Sequence, residues 1–184
     1  MTVLRRLVLV LALVLAPIGC SAAREPVPSP QVTGTPFNTT DVAWLQLAEA
    51  LHTRTQPLLE LASERAGSRS LAELAGRLGE AHEAGRERLR TLLVRAGGGG
   101  ENPHAGHDMP GMPTAQDLEQ VTGLRDDAFD RRFTELTRSY LEQLVLIANG
   151  ERGSGGAAEV RELAGAMSRT HAAELAQLQQ ITAP

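Results

Sequence analysis

Apolar residues recur along this chain at three- and four-residue steps, in four long runs separated by polar and glycine-rich breaks. In the first run Trp44, Leu47, Leu51, Leu58 and Leu61 form the stripe of an amphipathic helix. Asn38 or Thr39 is placed to cap it, and Asp41 adds negative charge to its first turn. Pro57 lies inside the run, where the missing N–H predicts a kink about halfway along. Gly67-Ser68 closes this helix, and Ser68 or Ser70 opens a second, striped by Leu71, Leu74, Leu78, Leu89 and Leu92. Ala81, His82 and Gly85 fill its middle, and Gly97 to Gly100 stop it, each glycine disfavouring helix by about 1 kcal/mol. Thr114 with Asp117 has the spacing of a capping box and predicts a short helix ending near Gly123. A third long helix is expected from about Asp126 to Asn149, with Phe129, Phe133, Leu136, Tyr140, Leu144 and Ile147 on one face. After a glycine-rich turn from Gly150 to Gly156, Val160, Leu163, Met167, Leu175, Leu178 and Ile181 stripe a fourth. No segment alternates with period two, so the fold class is all-α: a four-helix bundle with hairpin turns and one longer crossover.

The two halves look like copies of one another, on about ten identities. A shift of 89 positions lays Asp41 on Asp130, Trp44 on Phe133, Leu47 on Leu136, His82 on His171 and Leu89 on Leu178. It also superposes Glu73-Leu74-Ala75-Gly76 on Glu162-Leu163-Ala164-Gly165, and the matches fall in phase with the apolar stripe. The bundle is therefore expected over 37–183, as repeated hairpins at 37–96 and 126–183 joined by a His/Met/Gly linker at 97–113.

Ahead of the bundle, Arg5 and Arg6 precede a ten-residue apolar run from Leu7 to Ala16, and Cys20 follows. Ten residues are too few to span a bilayer, so 1–19 has the pattern of a signal peptide. Cys20 resembles a bacterial lipoprotein acylation site, although Pro17 stands where an aliphatic residue is usual; cleavage after Ser21-Ala22-Ala23 would instead leave no anchor. Residues 20–36, with Pro26, Pro28, Pro30 and Pro36, bury too little to order and are expected to be a tether. Export to the extracytoplasmic side, with the membrane reached through the lipid, is the expected location. The formal charge of −4 and the lack of a basic, aromatic-studded stretch exclude a nucleic-acid surface.

Four motifs are similar to those of the bacterial family called domain of unknown function 305, whose fold is a ferritin-like helical bundle. They are Phe37-Asn38-x-x-Asp41-Val42-Ala43-Trp44, His107-Asp108-Met109-Pro110-Gly111-Met112, Phe129-Asp130-Arg131-x-Phe133 and Val160-Arg161-x-Leu163-Ala164, spanning about 37 to 182. The resemblance implies a Met-Ile-x-His-His motif in each half, yet those positions hold Ala48-Glu49-Ala50-Leu51-His52 and Thr137-Arg138-Ser139-Tyr140-Leu141. His52 alone survives of four histidines, while His82 and His171 stand where the family often carries Gln. Some members look connected to copper handling, which implies a similar role here.

Three groups carry candidate chemistry. The leading metal site is His104, His107, Met109 and Met112 in the linker, because imidazole with thioether suits copper. The alternative is a solvated crossover in which Met109 and Met112 plug the end of the bundle. A secondary site is His52, His82 and His171: the symmetry-related pair could bind a metal, titrate together, or simply be satisfied by a carboxylate. Glu49-x-x-His52 has di-iron spacing, and an oxidase would need Glu49, His52, His82, His171 and Glu174 to converge. The expectation is an exported, lipid-anchored, non-enzymatic bundle holding copper in its linker. A cell-surface interaction module without metal and a degenerate oxidase are the alternatives.

Overall fold

The computed structural model describes residues 36–183, so the signal peptide, Cys20 and nearly all of the tether lie outside the described residues. Five helices follow in order: α1 (Thr39–Arg65), α2 (Arg69–Arg95), α3 (Ala115–Thr122), α4 (Asp126–Ser154) and α5 (Ala158–Ile181). The long helices pair as hairpins, α1 with α2 and α4 with α5; α1 packs on α4, and α2 meets α5 only over a short stretch. The described chain is all-α, and the expected stripes face inward. Trp44, Leu51 and Leu58 of α1, Leu71, Leu74, Leu78, Leu89 and Leu92 of α2, and Phe129, Phe133, Tyr140 and Leu144 of α4 are all buried. Among the described residues no helix is long and apolar enough to cross a membrane.

Local chemistry sets the helix starts. Asn38 accepts from the backbone N–H of Asp41 at 2.9 Å, and Asp41 accepts in return from that of Asn38 at 2.5 Å. Thr114 and Asp117 form the same box at the start of α3, and Ser68 caps α2. Pro57 is carried inside α1, which is helical through it. One expectation is corrected. α4 does not stop at Asn149 but runs through Gly150 and Gly153 to Ser154. Two glycines disfavour helix by only about 2 kcal/mol, and tertiary contacts offset that: Glu151 is buried and the Ser154 carbonyl accepts from the Asn38 amide at 3.1 Å.

The two hairpins hold one another by matching contacts. Asp41, at the start of the first half, accepts from the N–H groups of Gly156 and Ala157 in the turn of the second, at 3.0 and 3.1 Å. Asp130, its partner under the 89-residue shift, accepts from Gly67 and Ser68 in the turn of the first, at 3.1 and 2.8 Å. Both turns carry glycine because the chains touch there: a Cβ on Gly67 would lie 3.0 Å from the Asp126 Cα, and one on Gly156 would lie 3.0 Å from the Asn38 side chain.

The core falls into two apolar clusters. One contains Leu51, Leu58, Phe129, Phe133 and Tyr140, with Met112 buried in it and Met109 packed against it. The other, toward the opposite end, contains Trp44, Leu45, Leu89, Leu92, Val160 and Met167. At that end the buried Glu151 carboxyl faces Asp41, and neither of its oxygens meets a donor. Burial and the neighbouring Asp41 push it up to about 8, against a smaller opposing effect of Arg161. Asp41 stays low: burial alone would raise it, but the N–H groups of Asn38, Ala157 and Gly156 and the proton of Glu151 together outweigh that.

A group whose folded pKa lies above its ordinary 4.5 gives stability that is full below 4.5 and is lost as pH rises through about 8. Glu151→Gln removes this dependence. Thermal melts are expected to show the variant close to the parent at pH 5 and at least a few degrees more stable near pH 9. Parallel melting curves at both pH values would show that Glu151 is ionised in the fold.

Candidate metal centre in the bundle core

His52 of α1, His82 of α2 and His171 of α5 each fall on the buried face of their helix, and all three are 3% exposed. Their rings meet where the two clusters join: centroids are 4.9 Å apart for His52 and His82, 5.0 Å for His82 and His171, and 5.6 Å for His52 and His171. α4 contributes Tyr140, whose hydroxyl lies 2.5 Å from Nδ1 of His52 and 2.9 Å from Nδ1 of His82. Glu174, one turn beyond His171, accepts through a single oxygen from Nε2–H of His82 at 2.9 Å and from Nδ1–H of His171 at 2.8 Å. The symmetry-related histidine pair is thus satisfied by one shared carboxylate. The Nε2 atoms of His52 and His171 are buried without a partner.

The electrostatics follow from this packing. Burial raises Glu174, but the hydrogen bonds from His171 and His82 outweigh it and hold the carboxyl down at about 2. Burial drives His52 well below its ordinary 6.5, with the neighbouring His82, His171 and Arg86 adding to the effect. His171 is lowered by burial, in part countered by its bond to Glu174. Burial and the Glu174 charge keep Tyr140 well above 10, so its hydroxyl retains its proton. At neutral pH the cluster combines an ionised carboxylate with imidazoles whose free nitrogens are disposed to stay neutral, the form in which they can bind a metal.

A cavity of about 300 Å³ opens beside the cluster, lined by His52, His82, Gly85, Met167, His171 and Glu174. Gly85 helps to make the room: a Cβ there would sit 4.0 Å from Nε2 of His52 and 3.9 Å from Cε of Met167. Under the repeat Gly85 corresponds to Glu174, and Tyr140 corresponds to Leu51. The pseudo-twofold therefore relates His82 to His171 and is broken by everything around them. A wider groove of about 690 Å³ between α2 and α5 shares Ala84, Arg88, Leu163 and Ala166 with this cavity and continues it outward.

The other candidates lie elsewhere. Met112 is buried in the core and Met109 packs against it, beside the middle of α4 where Gly111 meets Ser139 and Gln143, while His107 is exposed and His104 half-buried on the rim of a separate cavity beside Arg54. Glu49 points away from the histidines, accepting from Asn102 at 2.7 Å and lying 3.6 Å from Arg86. The five side chains the oxidase needs do not converge, and Glu174 is the one carboxylate at the cluster among the described residues. Sequence patterns counted Tyr140 and Met167 as stripe residues and Gly85 as filler. The signal in the sequence was the repeat itself, which sets Tyr140 against Leu51 and Glu174 against Gly85.

The family model described as domain of unknown function (DUF305) matches residues 41–182. The chain belongs to the DUF305 family. The DUF305 chain is similar to a solved structure of CopM in its Cu(I)-bound form, with 19% identity, 78% of this chain and 95% of that one covered, and a TM-score of 0.64. It is likewise similar to a DUF305 protein from Streptomyces coelicolor (16% identity, 78% and 91% covered, TM-score 0.69) and to a DUF305 fragment from Deinococcus radiodurans (18%, 79% and 97%, TM-score 0.69). CopM has been solved with Cu(II) and with Ag as well. No curated protein matches. At these identities the likeness establishes the fold, a DUF305 helical bundle.

Replacing Glu174 by Ala leaves two buried imidazole N–H groups without an acceptor, each worth about 1–3 kcal/mol. Urea unfolding of the metal-free protein at pH 7 is expected to show a loss of roughly 2–4 kcal/mol. A loss below about 0.5 kcal/mol, the size of an ordinary surface substitution, would mean that water already serves these groups.

Proposed function

We propose that this DUF305 protein is an extracytoplasmic, non-catalytic metal-binding protein that holds a copper ion inside its bundle, at the cluster of His52, His82 and His171. The observation that carries the proposal is the pair of buried, unpartnered imidazole nitrogens on one cavity, Nε2 of His52 and Nε2 of His171. Leaving a polar atom buried without a partner is unfavourable, and a bound cation would satisfy both at once. The donor set fits copper. Imidazole suits several transition metals, but the thioether of Met167 on the same wall favours the softer Cu(I). The likeness to CopM, solved with copper and silver bound, supports the same choice. When bound, the metal would supply a site for holding or handing on the ion.

The linker quartet of His104, His107, Met109 and Met112 draws less support, because the Met112 thioether is already committed to the core. The apparent signal peptide and Cys20 support export and a lipid anchor.

An anaerobic Cu(I) competition titration of residues 24–184 separates these readings. One equivalent bound is expected, retained when His104, His107, Met109 and Met112 are all changed to Ala and lost in the double variant His52→Ala/His171→Ala. The opposite pattern moves the site to the linker. Failure of the parent protein to bind leaves the interaction module, with the groove between α2 and α5 as its surface.

A further inference from the structure

We propose that the hydrogen-bond chain around Glu174 sets the tautomer of each histidine, so that His52 and His171 bind the ion through Nε2 while His82 and Tyr140 only position them. The ion in this statement rests on the metal-binding reading above; the proton arrangement does not. The starting point is that an ionised carboxylate can accept hydrogen bonds and cannot donate them. Glu174 lies 2.9 Å from Nε2 of His82 and 2.8 Å from Nδ1 of His171, so both of these nitrogens must carry hydrogen.

In the form that carries one proton on each imidazole, the contacts dictate the rest. His82 has its proton on Nε2, so its Nδ1 is a bare acceptor, and the donor facing it at 2.9 Å is the hydroxyl of Tyr140. That hydroxyl has one hydrogen. Having given it to His82, the Tyr140 oxygen can only accept from Nδ1 of His52 at 2.5 Å, which must therefore be the protonated nitrogen of that ring. Nε2 of His52 is left bare, and so is Nε2 of His171, whose proton faces Glu174. These are the two nitrogens that lack a partner. The reverse arrangement would bury an N–H on His52 Nε2 with nothing to accept it, a rarer defect than a bare lone pair.

The geometry suits one ion between them. Two imidazoles bound through nitrogen at about 2 Å bring their ring centroids about 5–6 Å apart, and those of His52 and His171 are 5.6 Å apart. Each would have the outer partner that metal-bound histidines usually have, Tyr140 for His52 and Glu174 for His171. Met167 lines the same cavity, and its thioether would add a soft donor suited to a monovalent ion. A tighter group exists in His82, His171 and Glu174, whose donor atoms lie within 4.8 Å of one another. That closeness is the hydrogen bonding itself: both nitrogens of His82 are already engaged, and binding through either would break a bond in the chain.

Two measurements test this. Long-range proton–nitrogen correlation spectra of the metal-free protein at pH 8 should show His52 and His171 protonated on Nδ1 and His82 on Nε2. A different tautomer at any of the three overturns the proton arrangement. In an Ag(I) competition titration, His82→Gln and Tyr140→Phe should still bind one equivalent, weakened roughly 10- to 100-fold, with Tyr140→Phe also altering the His52 nitrogen shifts. His52→Ala and His171→Ala should each lose tight binding. If His82→Gln abolishes binding while His171→Ala keeps it, the ligand assignment is wrong. If the parent protein shows these tautomers and binds no Ag(I), the metal-binding reading and its ligand assignment fall and the proton arrangement stands.

Discussion

A carboxylate buried among imidazoles can only accept hydrogen bonds, and the interior of this bundle is arranged around that restriction. Glu174 accepts hydrogen bonds from two histidines of different hairpins, so α2 and α5, which otherwise touch little, are joined at the centre through His82. A buried anion would be unfavourable alone. Here two N–H donors hold it ionised. The same restriction propagates outward through His82 and Tyr140 to His52, which is how one acidic side chain governs groups on four helices.

The two hairpins are alike at their turns and unlike at the centre of the bundle. One solution serves both turns: Asp41 and Asp130 each hold the other hairpin's turn through backbone N–H groups. His82 and His171 meet at the centre, one from each hairpin. An ion needs more than that, namely free nitrogens, room and a soft donor, and these arise where the halves differ. Glu174 on one side faces Gly85 on the other, so one half supplies the acceptor and the other the space. The result is an asymmetric cluster in which a tyrosine and a glutamate contact the histidines.

Protonation enters the fold at two places with opposite signs. Glu151 is held protonated against the ionised Asp41, which favours the folded state at lower pH, whereas Glu174 is held ionised, which favours it above the ordinary carboxylate range. The first lies at the end of the bundle where Asp41 grips the α4–α5 turn, the second at its middle. Each shows burial raising a carboxyl, and the outcome decided by whether its neighbour offers protons or negative charge.

Periodicity, turns and capping residues determined the helix count, the hairpins and the Thr114 cap, because those depend on side chains within a turn of one another, while the structure chose Asn38 over Thr39 and Ser68 over Ser70. The 89-residue repeat also made the two halves and the His82–His171 pair legible. The end of α4 was not, since Gly150 and Gly153 argue for a turn and only contacts from Glu151 and Asn38 override them. Nor was the centre of the bundle. His52, His82, Tyr140, His171 and Glu174 are scattered over more than a hundred residues. Which ring nitrogen is satisfied and which is left bare depends on distances of 2.5 to 2.9 Å across helices. The linker's His and Met residues formed the more conspicuous motif in the sequence. Packing decided where their thioethers went: Met112 is buried in the apolar core and Met109 packs against it.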